Sequence, residues 1–385
     1  MKLRQLKSVS ERRKFLEAKL KLNLDALSVY PSKLEIAQFK NCENMIGATS
    51  IPLGIAGPLK VNGSYAKGEF YLPLATTEAA LVASVNRGCK AITESGGALC
   101  YCQDVGITRS PVFETGGIKE SMSLKFWIEK NLGGLQNIAA SQSSHLTLLK
   151  AKIRIIGNLL YVRFSFDTME AMGMNMVTIA SDKLVKFITE KTGFNCISLA
   201  ANFDNDKKAS YLNFLEGRGR SVFAEVILPE SVVSSILKTS PEKIHQVVKV
   251  KCHLGSMLSG SFSYNAHFAN TLSALFIALG QDLAHVAEGN VGITSTEIID
   301  HNLYITAYLP DLPLGTVGGG TQLPSQSEAF RILNLEKGQK GEKARALAEI
   351  VGAAVLAGEI SLLAALSQGQ LAQAHERLAK GVKNI

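Results

Sequence analysis

Residues 350–366 constrain this chain most. They form the most apolar stretch of the sequence, yet they carry Glu359 among small and aliphatic residues. A membrane span needs roughly 18 uninterrupted apolar residues, and this stretch falls short, so it reads as a helix buried inside a folded domain. At 385 residues the chain has the length of roughly two to three ordinary domains. With 46% hydrophobic and 19% charged residues, it is neither disordered nor fibrous.

The start, MKLRQLKSVSERRKF, is basic but lacks the apolar run of a signal peptide, so a cytoplasmic protein is expected, with no membrane partner. The six cysteines contain no CxxC pair and no zinc-like His spacing. Cys100 and Cys102 stand one residue apart, and reduced thiols with no metal site are expected. Lys and Arg outnumber Asp and Glu by 41 to 33, a bias that suits phosphate-bearing ligands and on charge alone admits nucleic acid.

Ser8 and Glu11 make a capping box, and Leu16, Leu20, Leu24 and Leu27 recur at helical spacing, which predicts a helix over 8–27. Glycines and prolines from 44 to 73 predict turns and short strands, and Thr77 opens a helix to about Arg87 with Glu78 in its first turn. A change of texture between 110 and 198 marks an inserted smaller domain, with a helix at 119–131, apolar runs at 152–156 and 159–166, and a helix from Asp182. Beyond it come an apolar run at 221–228, a long helix over 267–288, a run at 302–309 and a helical C-terminus. Interleaved helices and strands predict an α+β fold.

No GxGxxG follows a strand and no glycine-rich loop ends in GK[ST], which argues against Rossmann and P-loop sites. Gly318 to Gly320 are either a ligand-facing backbone or an ordinary loop. Asp282 falls among Leu275, Phe276, Ile277, Leu279 and Leu283, where a carboxylate demands a cation. His285 one turn on and Lys207 or Lys208 are the candidates; paired core and active site both remain open. Met172 to Met176 read as core filler and His375 as a surface histidine.

In order, ENMIG, PLATTEAALVASVNRGC, AMGMNM, DKK followed by EGRG, YNAHFAN, GQD, TVGGGT and AGEISLLAAL resemble the 3-hydroxy-3-methylglutaryl-coenzyme A (HMG-CoA) reductases, from about residue 43 to 380. AMGMNM and AGEISLLAAL look closer to the eukaryote-like class. The resemblance implies an N-terminal helical segment over 1–48, a large CoA-substrate domain over 49–110 and 199–385, and a small ferredoxin-like nicotinamide-binding domain over 111–198. It implies a homodimer or dimer of dimers with active sites between subunits, ENMIG at the interface.

The same resemblance implies catalytic roles for Glu78, Lys207, Asp282 and His375. Two hydride deliveries would take the thioester through a hemithioacetal and an aldehyde to mevalonate. It implies HMG contacts at Arg109, Asp206, Lys208 and Lys251, CoA contacts at Ser84, Asn86, Arg87, Lys238 and His267, and an orienting role for Asn270. Ser144, His145, Gly173, Met174 and Asn175 would hold NADPH, with NADH the alternative. Recognition of these small anions accounts for the basic balance better than nucleic acid does. Three residues depart from the family pattern: Ala200 for an HMG-binding serine, Glu170 for an aspartate, and His145 for an arginine on the cofactor's 2′-phosphate. Gly381 stands where vertebrate-type members carry a regulatory serine.

Overall fold

The computed structural model describes residues 5–335 and 340–369. Its eleven strands share one continuous set of ladders. The larger part runs in the order β2 (Lys67–Ala75), β1 (Leu53–Gly63), β3 (Ala98–Arg109), β8 (Gly219–Leu228), β11 (Asn302–Leu309), β10 (Gly292–Ile299) and β9 (Ser263–Tyr264). Side chains alternate across it with the period of two that a pleated strand imposes. Ala98, Cys100 and Cys102 of β3, Val222 and Ala224 of β8, and Leu303 and Ile305 of β11 are buried. Leu99, Tyr101, Phe223 and Ile227 point the other way and are exposed.

The buried face carries α2 (Leu81–Glu94), α6 (Phe268–Ala278) and α7 (Glu342–Ser367). By length and composition α7 is apolar enough to cross a membrane, but it lies in the core, and its two buried carboxylates tie down its surroundings. Glu349 accepts the amides of Ser64, Tyr65 and Ala66 at 3.1, 2.9 and 2.7 Å, closing the β1–β2 turn. Burial pushes its carboxyl up, and these amides oppose that shift. Glu359 accepts the amides of Ala266 and His267 at 2.8 and 2.7 Å and the Thr294 hydroxyl at 2.6 Å, which fixes where α6 begins. Each buried carboxylate is thus covered by hydrogen-bond donors rather than left to pay its desolvation alone.

The second part is β4 (Val112–Glu114), α3 (Ile118–Lys130), α4 (Leu132–Gln142), β5 (Thr147–Ile156), β6 (Leu159–Asp167), α5 (Met174–Thr192) and β7 (Asn195–Ser198). Its strands pair antiparallel in the order β7-β4-β6-β5, the ferredoxin-like arrangement of a split βαβ pair. It has its own core, built on Phe113, Leu124, Ile128, Leu160, Phe164, Val177 and Leu184. β3 spans both parts, pairing with β8 up to Gly106 and then with β6 over Ile107–Arg109.

Local starts and stops depart from the sequence periodicity in four places. Ser8 accepts the Glu11 amide at 3.1 Å as the capping box predicts, but α1 (Val9–Leu20) stops where Lys21 turns left-handed at φ 56°, and Leu24 and Leu27 lie beyond it. Thr77 caps nothing: α2 starts at Leu81, after Ala80 at φ 71°, and Glu78 sits in the preceding turn with its amide on Thr76 Oγ1 at 2.9 Å. The predicted helix over 267–288 is broken. α6 ends at Ala278, Gly280 takes φ 63°, and only a short turn (Leu283–His285) and a four-residue helix (Val286–Gly289) follow. α5 begins at Met174, well before Asp182, after Gly173 at φ 93°.

α2 and α7 touch backbone to backbone, for a Cβ on Gly88 would lie 1.9 Å from the Ala357 carbonyl oxygen. Neither helix can yield without disturbing the core around it. Gly88→Ala is therefore expected to cost about 3 kcal/mol, as overpacking of a filled core does. Urea unfolding measures this, and a change in midpoint within error of zero would show that the helices separate freely.

Candidate active site

The broken helix is what makes a site. Gly280 turns where a side chain has no room: a Cβ there would lie 2.3 Å from the Gly320 carbonyl oxygen. Gln281 next to it clamps the following loop at both ends of its amide, Oε1 accepting the Gly315 amide and Nε2 donating to the Gly315 carbonyl, each at 2.9 Å. Asp282 then caps the short turn, Oδ1 accepting the Ala284 amide at 3.1 Å, and its Oδ2 lies 2.7 Å from Lys207 Nζ. Asp282 is therefore not within a helix but on a turn, with its pair open to solvent (Lys207 42% and Asp282 36% exposed).

Lys207 reaches this place on a loop of left-handed residues, Asn202, Asn205 and Lys207 at φ 59°, 53° and 59°. For a lysine that conformation costs about 1–2 kcal/mol. The Lys207 amide donates to Glu288 Oε1, which holds the turn. Glu288 is fully buried; it also accepts from Arg218 Nη1 at 2.6 Å and from His285 Nδ1 at 2.8 Å. Arg218, itself fully buried, reaches Asp206 Oδ1 at 3.1 Å, Thr108 Oγ1 at 2.8 Å and Met174 Sδ at 2.9 Å. Asp311 lies beside Glu288, its Oδ2 accepting from Asn213 Nδ2 at 2.7 Å.

Burial opposes ionisation of all these acids, and the donors decide between them. Burial raises the Glu288 carboxyl, but the His285 hydrogen bond and the Arg218 charge outweigh it and bring it from 4.5 to about 2. Burial, then the Glu288 charge, push Asp311 well above the ordinary range. Of the two acids, Asp311 is thus the one whose environment favours the protonated form, and its Oδ1 is buried without a hydrogen-bond partner among the described residues. Asp282 is held below its ordinary value, burial being overcome by the Lys207 hydrogen bond, the Ala284 amide and the neighbouring charges. Asp206, His285 and Glu288 present ligand atoms within 4.8 Å of one another, but the Arg218 guanidinium already occupies two of the three, and a dication would meet that charge.

The other sequence candidates fall into separate groups. Glu78 accepts from Asn270 Nδ2 at 3.1 and 3.0 Å near the start of α6. Between Asn270 and the end of α6 lie about 12 Å of helix, so Glu78 and the Lys207–Asp282 pair sit at opposite ends of one element. On that side Ser84 donates to Ser361 Oγ at 2.9 Å, Arg87 reaches Ser361 at 3.0 and 2.6 Å, Asn86 accepts the Gly57 amide at 2.9 Å, and His267 precedes α6 with its Nε2 buried and unpartnered among the described residues.

Arg109 pairs with Asp204 at 3.2 Å and Thr178 at 2.8 Å, and Lys208 donates to the Asp206 carbonyl at 3.3 Å. Lys238 and Lys251 are exposed on the segment that packs behind β10 and β11. Gly173 and the exposed Asn175 open α5, whereas Met174 turns inward onto Arg218. Ser144 and His145 lie in an exposed turn before β5, with Lys340 Nζ on the Ser144 carbonyl at 2.7 Å. Lys340 also lines a cleft of about 580 Å³ with Glu170, Val317, Thr321, Arg331 and Lys343. His375 and Gly381 lie outside the described residues. The residues that sequence reasoning missed are Gln281, Arg218, Glu288 and Asp311; the one available signal was a second carboxylate, Glu288, in the same apolar segment as Asp282.

Comparison with known proteins places this geometry. The sequence profile described as hydroxymethylglutaryl-coenzyme A reductase matches residues 8–380. The 3-hydroxy-3-methylglutaryl-coenzyme A reductase of Methanocaldococcus jannaschii is 48% identical over 375 residues, covering 96% of this chain and 92% of that one. That of Pyrococcus horikoshii is 48% identical over 374 residues, covering 96% and 91%, and that of Catharanthus roseus 40% over 353, covering 89% and 58%. Among solved structures, the class II reductase of Streptococcus pneumoniae bound to NADPH in open conformations superposes with a TM-score of 0.69 at 19% identity, covering 94% of this chain and 97% of that one, so the fold is shared.

The Glu288 network gives a pH dependence with a defined sign. Its folded pKa, about 2, lies below the ordinary 4.5, so its stabilisation is complete above about 4.5 and is lost as the pH falls towards 2. Glu288→Gln should remove that part of the acid sensitivity. At neutral pH the same variant leaves Arg218 buried without its main partner and should cost about 3–5 kcal/mol. Urea titrations from neutral to acid pH check both, and an unchanged acid slope would place the sensitivity elsewhere.

Proposed function

Because the chain belongs to the hydroxymethylglutaryl-coenzyme A reductase family, an oxidoreductase family of the mevalonate route, we propose that Lys207 and Asp282 form the reacting centre for its reduction of (S)-HMG-CoA to mevalonate and free coenzyme A. The observation that carries this reading is the 2.7 Å Lys207–Asp282 pair, a cation on a turn whose amide is tied to the Glu288 carboxylate and which remains open to solvent. Each reduction of a carbonyl builds negative charge on its oxygen, and a preorganised cation stabilises such charge more than a mobile one does. Asp282, held ionised by its donors, keeps Lys207 in place.

The overall change consumes two hydrides and two protons, one proton ending on the alcohol oxygen and one on the thiolate. Glu78, fixed by Asn270, is the proposed proton donor to oxygen, and His375 the donor to the thiolate, whose pKa near 8.5 by analogy with cysteine lets it leave readily but also return. The anionic groups of HMG-CoA suit Arg109, Lys208, Lys251, Arg87 and Lys238, with Ser84, Asn86, Asp206, His267 and Asn270 as the polar contacts.

A bound reduced nicotinamide supplies the hydride. The chain has features that fit one: Gly318 and Gly319 have no atom within 4 Å of where a Cβ would stand, so a flat ring can rest on bare backbone there. The cleft beside them presents Arg331, Lys340 and Lys343 to phosphates. Glu170 in the same cleft is committed to Thr316 Oγ1 at 2.6 Å and to the first amides of α7, at Lys343 and Ala344, at 3.2 and 2.9 Å. We assign NADPH rather than NADH because Ser143, Ser144 and His145 offer donors and no acid to a 2′-phosphate. On this reading the ferredoxin-like part, 111–198, holds the nicotinamide nucleotide with Gly173, Met174 and Asn175, and the larger part holds the thioester.

A second copy of the chain fits the outward sheet face, where Leu99, Tyr101, Phe223 and Ile227 are exposed together and Phe223 stacks on Tyr308 at 4.8 Å. A homodimer or dimer of dimers also offers a way to complete a site whose Glu78 and Lys207 stand apart within one chain. The six cysteines are all unpaired, and burial pushes Cys89, Cys102 and Cys252 up to about 12, which suits a reducing cytoplasmic setting in which they stay inert thiols.

Purified chain given HMG-CoA is expected to oxidise two nicotinamides per thioester and to release mevalonate and thiol in equal amounts. Its kcat/KM should be higher with NADPH than with NADH. A stable aldehyde product, or oxidation without thiol release, would refute the four-electron reading, and equal or better use of NADH would refute the cofactor assignment.

Lys207→Ala should lower both reductive steps by about 100- to 1,000-fold. Retention of more than roughly a tenth of the wild-type rate by a folded variant would transfer the role to Lys208.

A further inference from the structure

His285 is the buried titratable group that this chemistry leaves unused. None of its surface is exposed. Its Nδ1 lies 2.8 Å from Glu288 Oε1, and a ring nitrogen facing a carboxylate is the one that carries hydrogen. The opposite nitrogen, Nε2, is buried and has no hydrogen-bond partner among the described residues. It faces two carboxylates, Asp282 Oδ2 at 3.8 Å and Asp206 Oδ1 at 4.0 Å. Asp282 Oδ2 is the same oxygen that holds Lys207 Nζ.

The charged groups around the ring come from every segment packed on it. Glu288 lies one turn on, Asp282 one turn back, and Asp206 and Lys207 are on the left-handed loop. Arg218 stands just before β8, and Asp311 follows β11, its carboxyl pushed well above the ordinary range by burial and the Glu288 charge. Three ionised carboxylates therefore face two fixed cations, and a neutral ring would turn a lone pair towards an already crowded set of anions. An imidazolium completes the balance and gives Nε2 a hydrogen to direct at Asp282.

We propose that His285 is a positioning residue for the reduction: as an imidazolium it anchors Asp282 from behind, so that the carboxylate holds Lys207 at a fixed place while charge builds on the substrate oxygen. No bond forms or breaks at His285; it acts through Asp282. The proposal rests on the reading of Lys207 and Asp282 as the reacting centre. It implies that loss of the ring's donor lowers kcat, while KM for HMG-CoA, which reports binding elsewhere, stays within about twofold.

The test compares wild type, His285→Gln and His285→Phe, each checked by circular dichroism for an intact fold. Gln keeps a permanent N–H donor and cannot titrate; Phe keeps the ring shape and offers none. With NADPH and HMG-CoA, Phe should have a kcat about tenfold below that of Gln, with KM for HMG-CoA unchanged in both. Equal kcat for Gln and Phe, or a loss that appears in KM instead of kcat, would overturn the proposal. Nitrogen-15 NMR of the ring in the resting holo-chain gives an answer independent of turnover. Two protonated ring nitrogens at neutral pH support the assignment even if HMG-CoA proves not to be the substrate, and a neutral ring refutes it even if the reductase assay succeeds.

Discussion

The fully buried Glu288 carboxylate is the point on which the site depends. Three donors meet on it: Arg218 and the Lys207 amide, 70 and 81 residues away in sequence, and His285 from its own turn. An ionised carboxylate in such surroundings is costly unless its donors are supplied by the fold, and here the fold supplies them all. Once Glu288 is satisfied, Lys207 is held in a backbone conformation that its side chain alone would not choose, and Nζ is delivered to Asp282. Burial, and then that same charge, push the Asp311 carboxyl alongside well above the ordinary range, which disfavours a second anion next to Arg218.

The second constraint is the set of bonds that joins the two parts of the sheet around the site. The loop after Gly315 is gripped by Gln281 on one side, while on the other the Thr316 amide donates to the Glu170 carbonyl at 2.8 Å and Ala171 bridges Val317. Glu170 stands where the resemblance has an aspartate, and its one extra methylene of reach is spent on the first turn of α7, where the exposed amides and the helix dipole both favour a carboxylate. The core helix, the ferredoxin-like part and the glycine loop thereby share one acid.

What was legible in the sequence was what depends on near neighbours. The apolar run with Glu359 among it reads as a core helix because a buried helix must look that way, and Ser8 with Glu11 marks the start of α1 because a cap is local. The need of Asp282 for a cation was legible as a cost, with Lys207, Lys208 and His285 all open; contact through the loop brings Lys207. The breaks were not legible. Periodicity runs unbroken through Gly280, and only the touching Gly320, forty residues away, forces the turn. The same holds for α2, whose start waits on Ala80 rather than on the better cap at Thr77. Arg218, Glu288 and Asp311 are individually unremarkable letters whose meaning lies in a meeting across more than seventy residues, and no local pattern announces it.

Gly280 and Gly320 have a mechanical consequence. Their backbones touch with no side chain between them, so nothing soft lies between the turn that carries Asp282 and the loop that borders the cleft. A side chain at either place would act as a spring, absorbing small displacements by changing rotamer; bare peptide cannot. A displacement of the backbone at Gly320 would therefore pass straight to the turn that carries Asp282, as between meshed teeth. The amino acid with the least side chain here leaves the joint no slack.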